Sequence, residues 1–318
     1  MKRLIRTVVP RGVRGAIREW ALDLGREAAG PRIASLESRV AALESSVGAL
    51  AARLEEHGGQ AQAAAAGVSD QRVALAQIQT LLTREAGVPP PPPRHLQERV
   101  IGTYDPGYLE SGYELCRHLD AELAHAGRSL GDFARILDFG CGSGRVLRAL
   151  RRLHPRAELH GTDIDEEAIA WLAWNCPDVA RFTVAPHRPP TTYPDAAFDF
   201  VFGISVFTHL PQDMEAAWLD ELRRIAAPGA LLVLTTHGEA HWSKLAPEVR
   251  GIVERDGFYY GDFGFNYGRS ISLPDFYQTA YHSTDYVRRE WGRRFEILGI
   301  TPLGMGRHQD TVLLRRPA

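Results

Sequence analysis

Apolar positions along this chain follow two different periods, and the change between them divides it. From Ile33 the apolar residues run Ile33, Leu36, Val40, Leu43, Val47, Leu50 and Leu54, alternating steps of three and four, which is the heptad seam of a coiled coil. Ile33, Val40, Val47 and Leu54 share one seam position, and Leu36, Leu43 and Leu50 share the other. Mostly β-branched residues opposite leucine favour a parallel two-stranded coil. In such a pair Arg32 faces Glu37 of the second copy and Arg39 faces Glu44, so the flanks agree with self-pairing. The competing account is a helix that folds back on its own domain.

Beyond residue 133 the pattern changes. Apolar runs of strand length fall at 134–138, 158–163, 181–184, 198–204 and 231–236. Helical patterns lie between them at 144–154, at 166–175, and on the face carrying Met214, Trp218, Leu222 and Ile225, which Pro228 and Gly229 are expected to end. Runs at 295–300 and 311–314 close the series, and residues 95–132 precede it as helix. Nearly continuous apolar strands alternating with helices predict an α/β fold: a parallel sheet covered on both faces.

Between the two regimes, Gly58 and Gly59 end the first helix, and a second helical run with Val68, Leu75, Ile78, Leu81 and Leu82 reaches Gly87. Pro89 to Pro93 form an unbroken proline run that is extended and semi-rigid. The expected organisation is residues 1–87 as a basic segment plus coiled-coil helices, 88–94 as linker, and 95–318 as the main domain. At the start, Lys2, Arg3, Arg6, Arg11, Arg14 and Arg18 alternate with apolar residues, a mixture suited to an anionic membrane surface through residues 1–20. Pro10, Gly12 and Gly15 interrupt any helix there, and the alternative is a poorly ordered or core-docked basic segment.

The chemistry concentrates in ILDFGCGSGRVLRAL, residues 136–150. A strand ends in an acid, Asp138, glycines follow at Gly140, Gly142 and Gly144, and an amphipathic helix begins. Glycine admits backbone angles closed to other residues and leaves no Cβ, so a ligand can lie against the turn and meet the N–H groups opening the helix. A dinucleotide fingerprint needs its third glycine where this chain has Arg145, which weakens a nicotinamide reading.

An acid followed by three alternating glycines resembles the class I S-adenosylmethionine-dependent methyltransferases. The stretch AELHGTDID, ending at Asp163, FDFVFGISVFTHLP, and ELRRIAAPGALLVLTTHG are similar to later motifs of that family, and more narrowly to bacterial methyltransferases associated with surface-polysaccharide synthesis. The resemblance implies a Rossmann-like, mostly parallel seven-stranded sheet with helices on both faces, here with an N-terminal helical coiled-coil extension. It implies S-adenosyl-L-methionine as cofactor. Asp138, Phe139 and the turn Gly140, Cys141, Gly142 and Gly144 would hold its aminoacyl and adenosine portions, Asp163 and Ile164 the ribose and adenine edge, and Ser205 the methionine end. A helix cap near Asp165 is the alternative for Asp163. Relatives place a polar residue on the adenine amino group after the third strand; VAPHRPPTTYPD has no carboxylate at that point, which leaves backbone groups or His187.

Methyl transfer to a hydroxyl needs a base, and histidine titrates in the right range. His209, after the fourth strand, and His237, after the fifth, are the candidates, against the alternative that each merely satisfies backbone groups. His308, Gln309 and Asp310 enter the last strand; a turn explains them, and no metal site is expected. Between the fifth and sixth strands, about 241–292, the chain carries aromatic residues among glycines, Trp242, Tyr259, Tyr277, Tyr281 and Trp291 included. They form either a lid over a flat acceptor or a small accessory core.

Charge and cysteine content bound the rest. Lys+Arg 37 against Asp+Glu 39 gives no whole-chain attraction to a polyanion, so no nucleic-acid partner is expected. Cys116, Cys141 and Cys176 are too few and scattered for a disulfide framework, which points to a cytoplasmic protein. No apolar run reaches membrane-spanning length. The leading expectation is an O-methyltransferase of a glycan or glycolipid-linked sugar, with a hydroxyl-bearing acceptor and a homodimer through 33–54. The alternatives are a natural-product or other small-molecule acceptor, and a non-catalytic binding platform for which the coiled coil does the work.

Overall fold

The computed structural model describes residues 89–105, 107–261 and 277–318. The chain divides between Pro90 and Pro91. The heptad stretch 33–54, the basic segment and the helical run before the prolines lie outside the described residues.

The described elements are α1 (Arg94–Ile101), α2 (Tyr108–Ala124), β1 (Arg135–Phe139), α3 (Arg145–Leu153), β2 (Glu158–Asp163), α4 (Glu166–Asn175), β3 (Arg181–Val184) and β4 (Phe198–Gly203). After these come α5 (Gln212–Ile225), β5 (Ala226–Thr236), α6 (Pro247–Asp256), β6 (Phe258–Gly261), β7 (Thr279–His282), α7 (Thr284–Glu290), β8 (Glu296–Met305) and β9 (Gln309–Arg315). Seven strands form one sheet in the order β3-β2-β1-β4-β5-β9-β8, and β6 pairs with β7 apart from it. The first five are parallel, while β9 runs antiparallel to both β5 and β8.

Both faces of the sheet are buried, as the apolar strands require. Successive side chains of a strand point to opposite faces. Ile136, Phe200, Phe202, Leu231, Val233 and Leu313 therefore join the helices α2, α3 and α4 in one cluster. Leu137, Val201, Leu232, Leu234, Val312 and Leu314 enter the other, with Met214, Trp218 and Leu222 of α5 and with Tyr286 and Trp291. A fully buried side chain of this size stabilises by about 1.5–3 kcal/mol, so the two layers fix the sheet firmly enough to hold loops at its edge.

One boundary differs from the sequence reading. Pro228 and Gly229 do not end a helix; α5 stops at Ile225 and β5 already begins at Ala226. Phe198 pairs with Ala226 but Phe200 pairs with Leu231, so the chain bulges between the two. Gly229 takes φ 78 in that bulge and donates its N–H to the Arg316 carbonyl.

The aromatic segment divides its rings between roles. Trp242, Tyr259 and Tyr281 pack a small core with Leu245 and Val253, whereas Tyr286 and Trp291 belong to the main core. Residues 262–276 lie outside the described residues. Among the described residues, no helix is long and apolar enough to cross a membrane.

Candidate active site

Parallel strands deliver their carboxyl ends to one edge, where β1 meets the three glycines. Gly140, Gly142 and Gly144 all have φ in the left-handed region, at 83, 51 and 79. Packing adds a second constraint: a Cβ on Gly142 would stand 2.6 Å from Val100 of α1, and one on Gly144 2.6 Å from Leu172 of α4. The alternating spacing is thus demanded by backbone angle and by close approach together. From the other side α2 closes on the turn, with the Tyr108 hydroxyl 2.7 Å from Ser143 Oγ.

Two acids flank this turn. Asp163, at the end of β2, accepts the Gly142 N–H at 2.7 Å through one oxygen and the Asp165 N–H at 2.9 Å through the other. Asp165 itself caps α4, accepting from the Glu167 and Ala168 N–H groups. The helix cap is therefore Asp165 and not Asp163, which ties the glycine turn to the loop after β2. Asp138 is buried at the end of β1. Burial first, then the neighbouring Asp163 charge, pushes its carboxyl well above the usual range, against the Arg145 guanidinium that pulls it down. Burial likewise raises Asp163. The Cys141 thiol between them is raised well above its ordinary value by burial and by both acids, so it is a protonated thiol and a poor nucleophile.

These electrostatics test which ligand fits. Two acids lining one cavity disfavour an anionic pyrophosphate and favour a ligand whose cationic groups and hydroxyl donors stabilise their ionised forms. A sulfonium nucleoside with a free ammonium group has both, so the residues present fit S-adenosylmethionine.

At the end of β4 the chain turns sharply. Ser205 has φ 63, its N–H donates to Thr235 Oγ1 at 2.8 Å, and the Gln309 amide Nε2 lies 2.8 Å from its Oγ. Just beyond, His209 Nδ1 lies 2.7 Å from the Gln278 carbonyl, and its ring stacks on Tyr277 at 4.1 Å between centroids. A carbonyl only accepts, so Nδ1 carries the proton and Nε2 is the lone-pair nitrogen. Burial lowers the His209 pKa to about 4, which keeps the ring neutral at neutral pH.

Asp138, Phe139, Gly140, Cys141, Gly142, Asp163, Ile164, Ser205 and His209 all line one cavity. Ala185 and His187, which follow β3, line it too. Gly144 is not among its lining residues; it caps α3 instead. His237 is not among them either, and stands behind His209 with ring centroids 6.4 Å apart. Its Nδ1 is buried without a hydrogen-bond partner, and burial followed by His241, His209, His308 and His282 lowers its pKa to about 3. Among the described residues no group of three or more His, Cys, Asp or Glu side chains could hold a metal ion. Asp310 accepts the Leu303 N–H, and the His308 carbonyl accepts from His241 Nε2.

Sequence reasoning passed over several lining residues. Arg99 of α1 reaches both oxygens of Asp165 at 3.1 and 3.0 Å and also pairs with Glu167. Tyr277 enters as the platform of His209. The pairing of Arg99 with Asp165 spans 66 positions and leaves no local mark in the sequence. Tyr277 was visible only as one aromatic residue among many.

Residues 108–262 match the family profile described as a methyltransferase domain. A malonyl-acyl-carrier-protein O-methyltransferase from Halorhodospira halophila is 30% identical over 124 residues, 36% of this chain and 41% of that protein. A trans-aconitate 2-methyltransferase from Mycobacterium tuberculosis is 27% identical over 147 residues, 45% of this chain and 52% of that protein. The chain spans about half or less of the length of these curated relatives. Among solved structures, a SAM-dependent methyltransferase from Methanosarcina mazei aligns with TM-score 0.42 at 22% identity, covering 57% of this chain and 92% of that one. Residues 108–262, just under half of the chain, are thus similar to a methyltransferase domain.

Proposed function

We propose that the protein is an S-adenosylmethionine-dependent O-methyltransferase whose acceptor is a hydroxyl, with a glycan or glycolipid-linked sugar as the acceptor class. The bound cofactor supplies a methyl group made electrophilic by its sulfonium. Asp138 and Asp163 supply negative charge and hydrogen-bond acceptors along the cofactor's cavity, and the glycine turn leaves room for it against the backbone. Alignment of acceptor oxygen, methyl and sulfur does most of the work in such a displacement.

The observation that carries the hydroxyl reading is His209. Its Nδ1 proton is committed to the Gln278 carbonyl, and the ring is neutral at physiological pH, so Nε2 can accept the acceptor's proton as the new bond forms. A second reading, a carboxylate acceptor, draws on the curated relatives, whose names specify malonyl and trans-aconitate groups. A carboxylate needs no base but is best held by a cation. The two arginines of the cavity are both engaged, Arg99 with Asp165 and Glu167, Arg145 with Ser111 Oγ and over the Tyr108 ring.

Labelled-methyl transfer to a panel of sugar hydroxyls and carboxylic acids separates the readings. A hydroxyl acceptor with His209→Gln slowed by roughly 10²–10⁴ supports the base. Turnover of a carboxylic acid unaffected by that change would replace the hydroxyl reading with the second one.

From the sequence pattern, the reading includes a parallel homodimer through 33–54, contact of residues 1–20 with an anionic membrane surface, and a cytoplasmic location. Light scattering of the full-length protein at tens of micromolar concentration tests the first; a monomer there removes it. Sedimentation with anionic vesicles tests the second, and fractionation of cells tests the third.

A further inference from the structure

Ser205 stands in a conformation that costs a serine free energy. Left-handed φ brings the Cβ of an L-residue against its own backbone, so non-glycine residues persist there only where surrounding groups hold them. Here the holding groups are identifiable. Thr235, fully buried near the end of β5, accepts the Ser205 N–H at 2.8 Å. Gln309, buried at the start of β9, places its carboxamide on the Ser205 hydroxyl, Nε2 at 2.8 Å and Oε1 at 3.1 Å. One residue fixes the backbone and the other fixes the side chain.

The two come from strands that the sheet topology alone brings together. β5 and β9 pair antiparallel, with Thr235 opposite Thr311 and Thr236 opposite Asp310, so Gln309 emerges beside the carboxyl end of β5. That is where β4 also ends, and Ser205 is the lining residue of the cavity that both contact. Glycine would occupy this backbone position without strain. A serine held there by two buried polar side chains implies that the position of its peptide groups relative to the cavity matters.

We propose that Thr235 and Gln309 are positioning residues, a clamp that keeps Ser205 in the left-handed conformation needed for cofactor binding. The inference rests on the cofactor reading above. In its physical form it is a population argument. With the clamp intact nearly every molecule presents the competent turn; without it Ser205 relaxes to ordinary backbone angles, and apparent affinity falls by the fraction that remains competent.

The test compares Thr235→Val with Thr235→Ser in the full-length protein, measuring S-adenosylhomocysteine affinity by calorimetry and unliganded thermal stability in parallel. Valine keeps the shape and removes the acceptor oxygen; serine keeps the oxygen and removes the methyl group. A clamp predicts about tenfold weaker binding for valine and near wild-type binding for serine. A packing role predicts the reverse order, with the serine variant losing thermal stability and valine binding normally, and that result would overturn the inference. Gln309→Leu should weaken binding in the same direction as Thr235→Val, and decides the matter if the valine variant does not fold. Adding Ser205→Gly to Thr235→Val should recover most of the affinity, because glycine adopts the turn unaided; a double variant no better than Thr235→Val refutes the clamp. If the wild-type protein itself fails to bind S-adenosylhomocysteine, the cofactor reading fails and this inference with it.

Discussion

Glu215 Oε2 and His282 Nε2 meet at 2.7 Å with both side chains removed from solvent, and the other Glu215 oxygen accepts Trp291 Nε1 at 2.8 Å. A carboxylate only accepts, so both nitrogens donate to it, and one helix residue on α5 holds β7 and the turn after α7 together. His282 also donates its backbone N–H to the His237 carbonyl at 2.9 Å. β7 starts just after Tyr277 and Gln278, the two residues that stack on His209 and hold its proton. Glu215→Ala would leave two buried donors without partners, a cost of about 1–3 kcal/mol for each. We expect a lower thermal midpoint and a His209 imidazole no longer held on Gln278, read by nitrogen NMR of the ring. An unchanged melting curve would mean that the Glu215 contacts contribute nothing net.

The raised carboxyl of Asp138 predicts a pH dependence of cofactor binding. A cationic ligand binds the ionised acid better than the neutral one. Because burial and Asp163 hold the Asp138 pKa well above the ordinary value, protonation begins at a higher pH than for a surface aspartate. Affinity for S-adenosylhomocysteine, which keeps the ammonium group, should therefore weaken on acidification from a pH above the ordinary carboxylate range near ~3.9. Asp138→Asn should flatten this dependence while lowering affinity throughout. Calorimetry across pH checks both, and a wild-type profile that is flat down to the ordinary range would dismiss the role given to Asp138.

His209 and His237 carry the opposite kind of linkage, one of stability. Both have folded pKa values depressed by burial, to about 4 and about 3. Unfolded, each ring takes up a proton near ~6.5, so below that pH the unfolded state binds more protons than the folded one. Their contribution is fully present above the unfolded value and is lost as pH falls from there through the folded values. Each ring can add a slope of up to ~1.4 kcal/mol per pH unit in that window. Denaturant titrations of wild type and His209→Gln at several pH values should show a shallower acid loss for the variant. Parallel curves would mean that the imidazole is not held neutral by the fold.

How much of this was legible beforehand depended on distance along the chain. β2, α4 and β3 end where the apolar runs end, because local period and burial on both faces agree there. The strand that carries Asp138 and the glycine turn after it were legible as local structure, since contiguous residues make both. Pro228 and Gly229 misled because a bulge and a helix end use the same residues, and only pairing with β4 tells them apart. Thr235 and Gln309 were invisible as partners of Ser205, which lies 30 and 104 positions away from them. Contacts of that range are made by strand order, and no local pattern encodes them.

Asp163 joins both kinds of information, and substitution there should separate structure from binding. The family resemblance implies a ribose contact for it, and the structure has it bridging the Gly142 and Asp165 N–H groups. Each carboxylate oxygen has a second acceptor site, so the bridge leaves capacity for a ligand hydroxyl. Asp163→Asn keeps the shape but turns one acceptor into a donor that faces an N–H group. Loss of one charge-assisted hydrogen bond is worth about 1.5–3 kcal/mol, so the unfolding free energy of the unliganded protein should fall by that amount, read as a lower denaturant midpoint. If the carboxylate also takes up a ribose hydroxyl, S-adenosylhomocysteine affinity should fall by a further factor of about ten or more, measured at a temperature where the variant is fully folded. Reduced stability with unchanged affinity would leave Asp163 as the brace of the glycine turn and move ribose recognition to another group lining the cavity.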